Sequence, residues 1–232
     1  MKNVVFKPWV GEKFESSKHK LLILGHTHHC SKAEECNCKE KASVHLPSAN
    51  VPPVAGPHFL AAPIESCFGI TVAVIQRYIE YKNGILKFEK WMNTFSNFIN
   101  AVHNKRCDAN LSIEFMNSII FYNYLQYAVS SDKRYGTVSF DAYEMSKAAF
   151  LEVLNEYKPK HIIIWGSPLC DILQKIIPAV RIGAKIDEQR NGNVFYLPNG
   201  ENEIPAYRTY HPSVSFARNE WNPRIQKFLN ET

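Results

Sequence analysis

Two short runs constrain this chain more than anything else in it: Lys20-Leu21-Leu22-Ile23-Leu24-Gly25 and His161-Ile162-Ile163-Ile164-Trp165-Gly166. Neither alternates apolar with polar residues, so each reads as a strand buried on both faces. Doubly buried strands belong to parallel sheets covered by helices. What lies between the runs agrees. Residues 64–81 and 88–103 carry apolar side chains at helical spacing, with Gly84 as a breaker between them, and residues 140–158 form an amphipathic helix closed by Pro159. The β-branched and aromatic density of SIIFYNYLQYAV predicts a strand around residues 119–124, with a helix as the alternative within 113–129. Ser167 reads as the cap of a helix running to Ile177, residues 194–197 and 206–210 as short strands, and residues 221–229 as a closing helix. The expected fold class is α/β, a three-layer α/β/α sandwich around a short, mostly parallel central sheet.

Composition supports a folded domain and narrows the setting. With 45% apolar, 12% aromatic and 21% charged side chains over 232 residues, the chain matches an ordinary globular protein. Without a repeat, a low-complexity tract or a linker, residues 1–232 are expected to form a single domain. Twenty-seven basic against 22 acidic side chains give +5, compatible with a nucleic-acid partner without specifying one. Residues 1–20 lack the apolar centre of a secretory signal, and no stretch reaches the roughly 18 consecutive apolar residues of a membrane span. The expected location is therefore cytoplasmic, without membrane association. There the six cysteines would be thiols or metal ligands rather than disulfides.

Residues 27–63 form a long His/Cys/Pro-rich loop, broken by Pro47, Pro52, Pro53, Pro57 and Pro63. Loops of that length inside a compact domain are usually functional. His28, Cys30, Cys36 and Cys38, with His45 or His58, supply enough soft ligands for a tetrahedral zinc. Their spacing fits no standard site, so neither a metal nor another cofactor is expected. In open α/β sheets ligands bind beyond the carboxyl ends of the parallel strands. That rule selects residues 25–30 after the first strand, Asn123, the segment after Trp165, and His211-Pro212-Ser213.

Four segments in order, LLILGHTHHC, IIFYNY, IIIWGSPLC and YHPSVSF, resemble the motif-bearing strand ends of the uracil-DNA glycosylase superfamily, and together they span most of the chain. The resemblance implies a DNA partner and hydrolysis of the N-glycosidic bond of uracil or another deaminated base flipped out of the stack. It puts His211 in the role of donor to the oxyanion that forms on the leaving base. It makes Asn123 the reader of a base edge, with Gly25, His29 and a loop aromatic, Phe59 or Phe68, lining the base site. It also brings Ser213, Ser215 and Arg218 to the DNA backbone. Where related enzymes place Asp, Asn or a preceding Glu to position or activate the attacking water, this chain has His26 and Thr27. Those two are the candidates for that task. The alternative function is a non-catalytic protein of the same fold that binds a base, a nucleotide or nucleic acid.

Overall fold

The computed structural model describes residues 1–30, 69–126, 128–130, 138–177, 181–187, 192–200, 202–214 and 216–231. Nine strands appear among them: β1 (Trp9–Val10), β2 (Leu21–Gly25), β3 (His28–Cys30), β4 (Ile120–Asn123), β5 (Ala128–Ser130), β6 (His161–Trp165), β7 (Arg181–Asp187), β8 (Gly192–Asn199) and β9 (Asn202–Thr209). The helices are α1 (Ile70–Lys82), α2 (Met92–His103), α3 (Ala109–Asn117), α4 (Phe140–Tyr157), α5 (Ser167–Ile176) and α6 (Arg218–Glu231).

Seven strands make one sheet in the order β1-β4-β2-β6-β9-β8-β7, and β3 pairs with β5 in a separate parallel ladder. The four central strands β4, β2, β6 and β9 run parallel. The two runs that dominate the sequence, β2 and β6, are neighbours at its centre and every residue in both is buried. The sheet is nevertheless mixed rather than mostly parallel, because β1 joins β4 antiparallel and β7-β8-β9 form an antiparallel meander. Two of its strands, β8 and β9, fall on the segments expected as strands at 194–197 and 206–210, whereas β7 is unexpected for a physical reason. Arg181–Asp187 reads RIGAKID, with apolar and polar residues mixed, which suits a strand at a sheet edge and gives no buried run.

Helices cover both faces. Ala142, Phe150, Val153 and Leu154 of α4, with Leu169 and Leu173 of α5, pack on Leu22, Leu24, Ile120, Tyr122, Ile162 and Ile164. On the other face α1, α2, α3 and α6 bring Tyr78, Phe95, Phe98, Phe115 and Phe228 onto Leu21, Ile23, Phe121, Ile163 and Trp165. The split obeys strand alternation, odd-numbered β2 residues going one way and even-numbered ones the other. The side chains of Asn222 and Gln226 on α6 donate to the carbonyls of Ala101 and Val102 in the last turn of α2. Ser167 is the first residue of α5 rather than its cap. Gly166 holds the cap position with φ of 95°, which favours glycine, and offers no side chain to bond. No helix among the described residues is long and apolar enough to cross a membrane.

Candidate functional site

Four strand ends meet at one rim of the sheet. Gly25 stands opposite Asn123 in the β2–β4 register, and since Leu24 pairs with Ile164, Trp165 flanks Gly25 on its other side, itself opposite Thr209. Side chains alternate along a strand, so Asn123, two residues beyond Phe121, shares a face with Phe121 and Trp165, whose rings lie 5.3 Å apart. His211 follows β9, and its ring meets Trp165 edge-on at 5.8 Å. Asn123 and His211 thus lie on one face of the sheet, on either side of the bare Gly25 and the Trp165 indole.

The Asn123 amide is closely fixed. A side-chain carbon at position 25 would stand 2.1 Å from its Oδ1, so glycine is what lets the amide lie over β2. Its Nδ2 lies over the face of the His28 imidazole, 3.2 Å from Nδ1 and 3.5 Å from Nε2, and His28 Nε2 lies 3.1 Å from Thr71 Oγ1 in the first turn of α1. Phe6 closes over the imidazole with ring centres 4.6 Å apart. The Phe6 segment is tied to the same place, because Gln126 Oε1 accepts from the N–H groups of Val5 and Phe6 while Gln126 Nε2 donates to the Asn123 carbonyl.

His211 is held from two directions. The main-chain N–H of Ser213 donates to His211 Nδ1 at 3.3 Å, and the Ser213 hydroxyl lies 2.7 Å from the same nitrogen. An N–H can only donate, so Nδ1 is the acceptor and the imidazole carries its proton on Nε2. From α2, Asn97 Nδ2 donates to the Pro212 carbonyl at 3.0 Å. Tyr210 and Phe216 both pack on Trp221 of α6.

A cavity of about 420 Å³ opens at this rim, with His26, Trp165, Gly166, Pro168, Tyr210 and His211 among its lining residues. That volume is in the range of small-ligand sites. His26 approaches from the opposite face of the sheet, buried, with Nε2 2.7 Å from the phenol oxygen of Tyr143 on α4. Below it, Tyr124 donates to the Tyr143 carbonyl, and burial pushes the Tyr124 phenol well above its ordinary value. On α5, burial pushes the Cys170 thiol up to about 12.

Of the residues singled out in the sequence, the cavity brings together His26 and His211, while Gly25 and Asn123 form the adjoining shelf. Thr27 is half-buried beside them, its hydroxyl donating to the His28 carbonyl at 3.2 Å. Ser213 and Arg218 are exposed, with the Ser213 hydroxyl at His211. His29 and Cys30 contribute their backbone to β3, inside the segment expected to be loop. Among the described residues no group of three metal-binding side chains occurs. Cys36, Cys38, His45, His58, Phe59, Phe68 and Ser215 lie outside the described residues. Tyr143, Thr71, Trp165 and Asn97 were not anticipated. Only Trp165, ending a buried strand at the expected rim, carried a signal that pointed to it.

The sequence matches no family model, and no curated protein matches it. Among solved structures, a domain of unknown function (DUF1537) from Bordetella bronchiseptica, a domain-swapped dimer with bound citrate, is similar over 90% of this chain at 8% identity and a TM-score of 0.34. The matched region spans 40% of that chain's length.

Proposed function

We propose that this chain binds a deaminated base flipped out of DNA against the Gly25 shelf and hydrolyses its N-glycosidic bond, within a three-layer fold of the uracil-DNA glycosylase kind. One observation carries the reading: Asn123 and His211 stand on the same sheet face at the carboxyl ends of parallel strands, with Gly25 and Trp165 between them. An amide offers an acceptor and donors side by side, the complement of a ring N–H beside a carbonyl. When the C–N bond breaks, its electron pair goes to the base, and the Nε2–H of a neutral His211 donates to the oxygen on which that charge collects. Water then adds to the sugar carbon. His26, held by Tyr143, takes the proton the water loses and passes it to solvent, Thr27 helps to seat that water, and the base anion takes up one proton from solvent as it leaves, so that the protons balance. Ser213, Ser215 and Arg218 meet the DNA backbone.

A second reading is favoured by the first strand end itself. His26 and Thr27 stand where a carboxylate would activate water, and His26 Nε2 already bonds Tyr143. On that reading the rim binds a base or nucleotide without cleaving it. Incubation of the full chain with single- and double-stranded DNA containing uracil, hypoxanthine or xanthine separates the two. Base release that disappears in His211→Ala supports hydrolysis. Binding without release, lost in Asn123→Ala, supports the second reading, and neither binding nor release overturns both.

A further inference from the structure

We infer that the molecule carries a second ligand site, at the amino ends of its parallel strands, that takes a small carboxylic acid with an apolar body. The site lies at the opposite end of the sheet from Asn123 and His211 and does not depend on the function proposed for them. A cavity of about 390 Å³ opens there, at the start of β2 and just before β4, between α3, α6 and the last turn of α2. Its floor is apolar: Leu21, Val102, Phe115, Ile119 and Leu229 line it, and all five are buried. The volume lies toward the small end of the range for ligand sites.

Hydrogen-bond accounting around this floor decides the other end of the ligand. Three helices bring carbonyls of their last turns here, which a ligand donor would need, and each already has a partner. Asn222 and Gln226 donate to the Ala101 and Val102 carbonyls of α2, the Ser118 hydroxyl donates to the Phe115 carbonyl of α3, and the His19 imidazole donates to the Leu229 carbonyl of α6. Glu114, the one acid that lines the cavity, has Oε1 3.7 Å from Lys13 Nζ. The acceptors are therefore engaged.

What remains unspent is donors. Lys18 lines the cavity and is exposed, and among the described residues it meets no acid, only the neutral Asn230 amide oxygen at 3.3 Å. His103, the last residue of α2, lies edge-on to Phe115 with ring centres 5.8 Å apart, and its Nε2 is buried without a hydrogen-bond partner. A buried polar atom left unmatched is rare in a folded protein. Among the described residues no hydrogen bond engages this ring, so no partner dictates which nitrogen carries the proton, and an Nε2–H is available to an arriving acceptor. The local field has the matching sign, since burial and then Lys18, His161 and Lys160 all lower the proton affinity of His19. A cationic and a neutral donor with no spare acceptor match a carboxylate, whose two oxygens only accept. A phosphate fits less well, because no arginine lines the cavity to fork onto its oxygens.

The test titrates the full ¹⁵N-labelled chain with phenylbutyrate, phenylbutanamide, phenylbutylamine and phenylpropyl phosphate. Saturable binding of the carboxylate is expected, roughly tenfold tighter than that of the amide or the amine, with shifts at the amides of Leu21, Val102 and Leu229 and at the His103 ring, and none at Asn123 or His211. Leu111→Trp, which fills the cavity from a half-buried position on α3, is expected to abolish binding. Lys18→Glu should weaken it roughly tenfold, while Lys90→Glu, an exposed position before the opposite end of α2, leaves it unchanged. Should Leu111→Trp fail to fold, Lys18→Glu and the wild-type shifts still decide. Absence of saturable binding, equal affinity for carboxylate and amine, tighter binding of the phosphate, shifts that gather at Asn123 and His211, or indifference to Lys18→Glu would each overturn the inference.

Discussion

The Asn123 amide oxygen occupies the space that a side chain at position 25 would need, 2.1 Å from where its first carbon would stand. The glycine that ends β2 therefore sets where the Asn123 amide can lie, and the relationship is testable because a near-identical distance elsewhere has a different owner. At Gly11 the obstructing atoms are the backbone carbonyl oxygen and carbon of Asn117, 2.2 and 2.3 Å away.

Gly25→Ala and Gly11→Ala should consequently part company. The Asn123 amide can swing aside, so Gly25→Ala is expected to cost less than about 1 kcal/mol in stability while abolishing the contact with His28 and any base binding through Asn123. The Asn117 backbone cannot swing, so Gly11→Ala is expected to cost about 3 kcal/mol, the upper part of the usual overpacking range. Denaturant unfolding of both variants, with base titration of the first, checks the pair. Equal losses of stability would contradict it.

Removal of His211 should hurt the proposed hydrolysis more than removal of His26. A donor to charge that forms in the transition state is typically worth about 10²–10³ in rate, whereas a general base that acts on the water contributes after much of that charge has formed. Single-turnover release of base by His211→Ala and His26→Ala ranks them. Asn123→Asp should also be damaging, since it sets an acceptor-only anion against a base carbonyl. Small and equal losses in all three would place the chemistry elsewhere.

The molecule should lose stability in mild acid. Burial lowers the proton affinity of His161 and His103 below the ordinary 6.5, and burial together with Lys18 does the same to His19. Each group then binds its proton more readily unfolded than folded. Their contribution is complete above about pH 6.5 and is lost as the pH falls from there through the lowered folded values. His161 Nδ1–H donates to the His19 carbonyl at 3.0 Å. His161→Asn keeps a donor at that reach and removes the titration, so its melting temperature should fall less than that of the wild type between about pH 7.5 and 5.5. A wild-type melting temperature independent of pH over that interval would refute the argument.

Cys170 should resist alkylation in the folded protein. It is 1% exposed, and burial holds its thiol at about 12, so almost no thiolate is present near neutral pH. Peptide mapping after a short iodoacetamide treatment, with and without denaturant, should find Cys170 modified only in the unfolded chain.

Much of the fold was legible because its central strands are unusual in sequence. Leu21–Gly25 and His161–Trp165 are apolar throughout, and their burial on both faces follows from that alone. The strand ending at Asn123 was legible from its β-branched and aromatic residues. Helix α3 was not. Its sign was Asp108, whose side chain accepts from the Leu111 N–H at 2.8 Å, but the stronger β signal of residues 118–124 immediately after it dominated the window. Strand-end logic put Gly25, Asn123 and His211 at one rim of the sheet, and there the register places them, although of the three only His211 lines the cavity. The same logic is blind to partners that arrive from helices. Tyr143 sits 117 residues from His26, Thr71 lies 43 from His28, and Asn97 lies 115 from Pro212, separations over which no local pattern acts.

Helix α2 carries three of the contacts that shape the cavity: Phe95 and Phe98 press on its Trp165 wall, and Asn97 holds the loop that bears His211. At its other end the same helix is clasped by Asn222 and Gln226 of α6, whose Trp221 in turn supports Tyr210 and Phe216. Wall, loop and supports therefore ride on two helices bound to each other. The His211 segment is not a flap that can swing alone. Moving the His211 side of the cavity outward would carry α2 and α6 with it, so the room available on that side is set by the interface between those two helices as much as by the residues that line it.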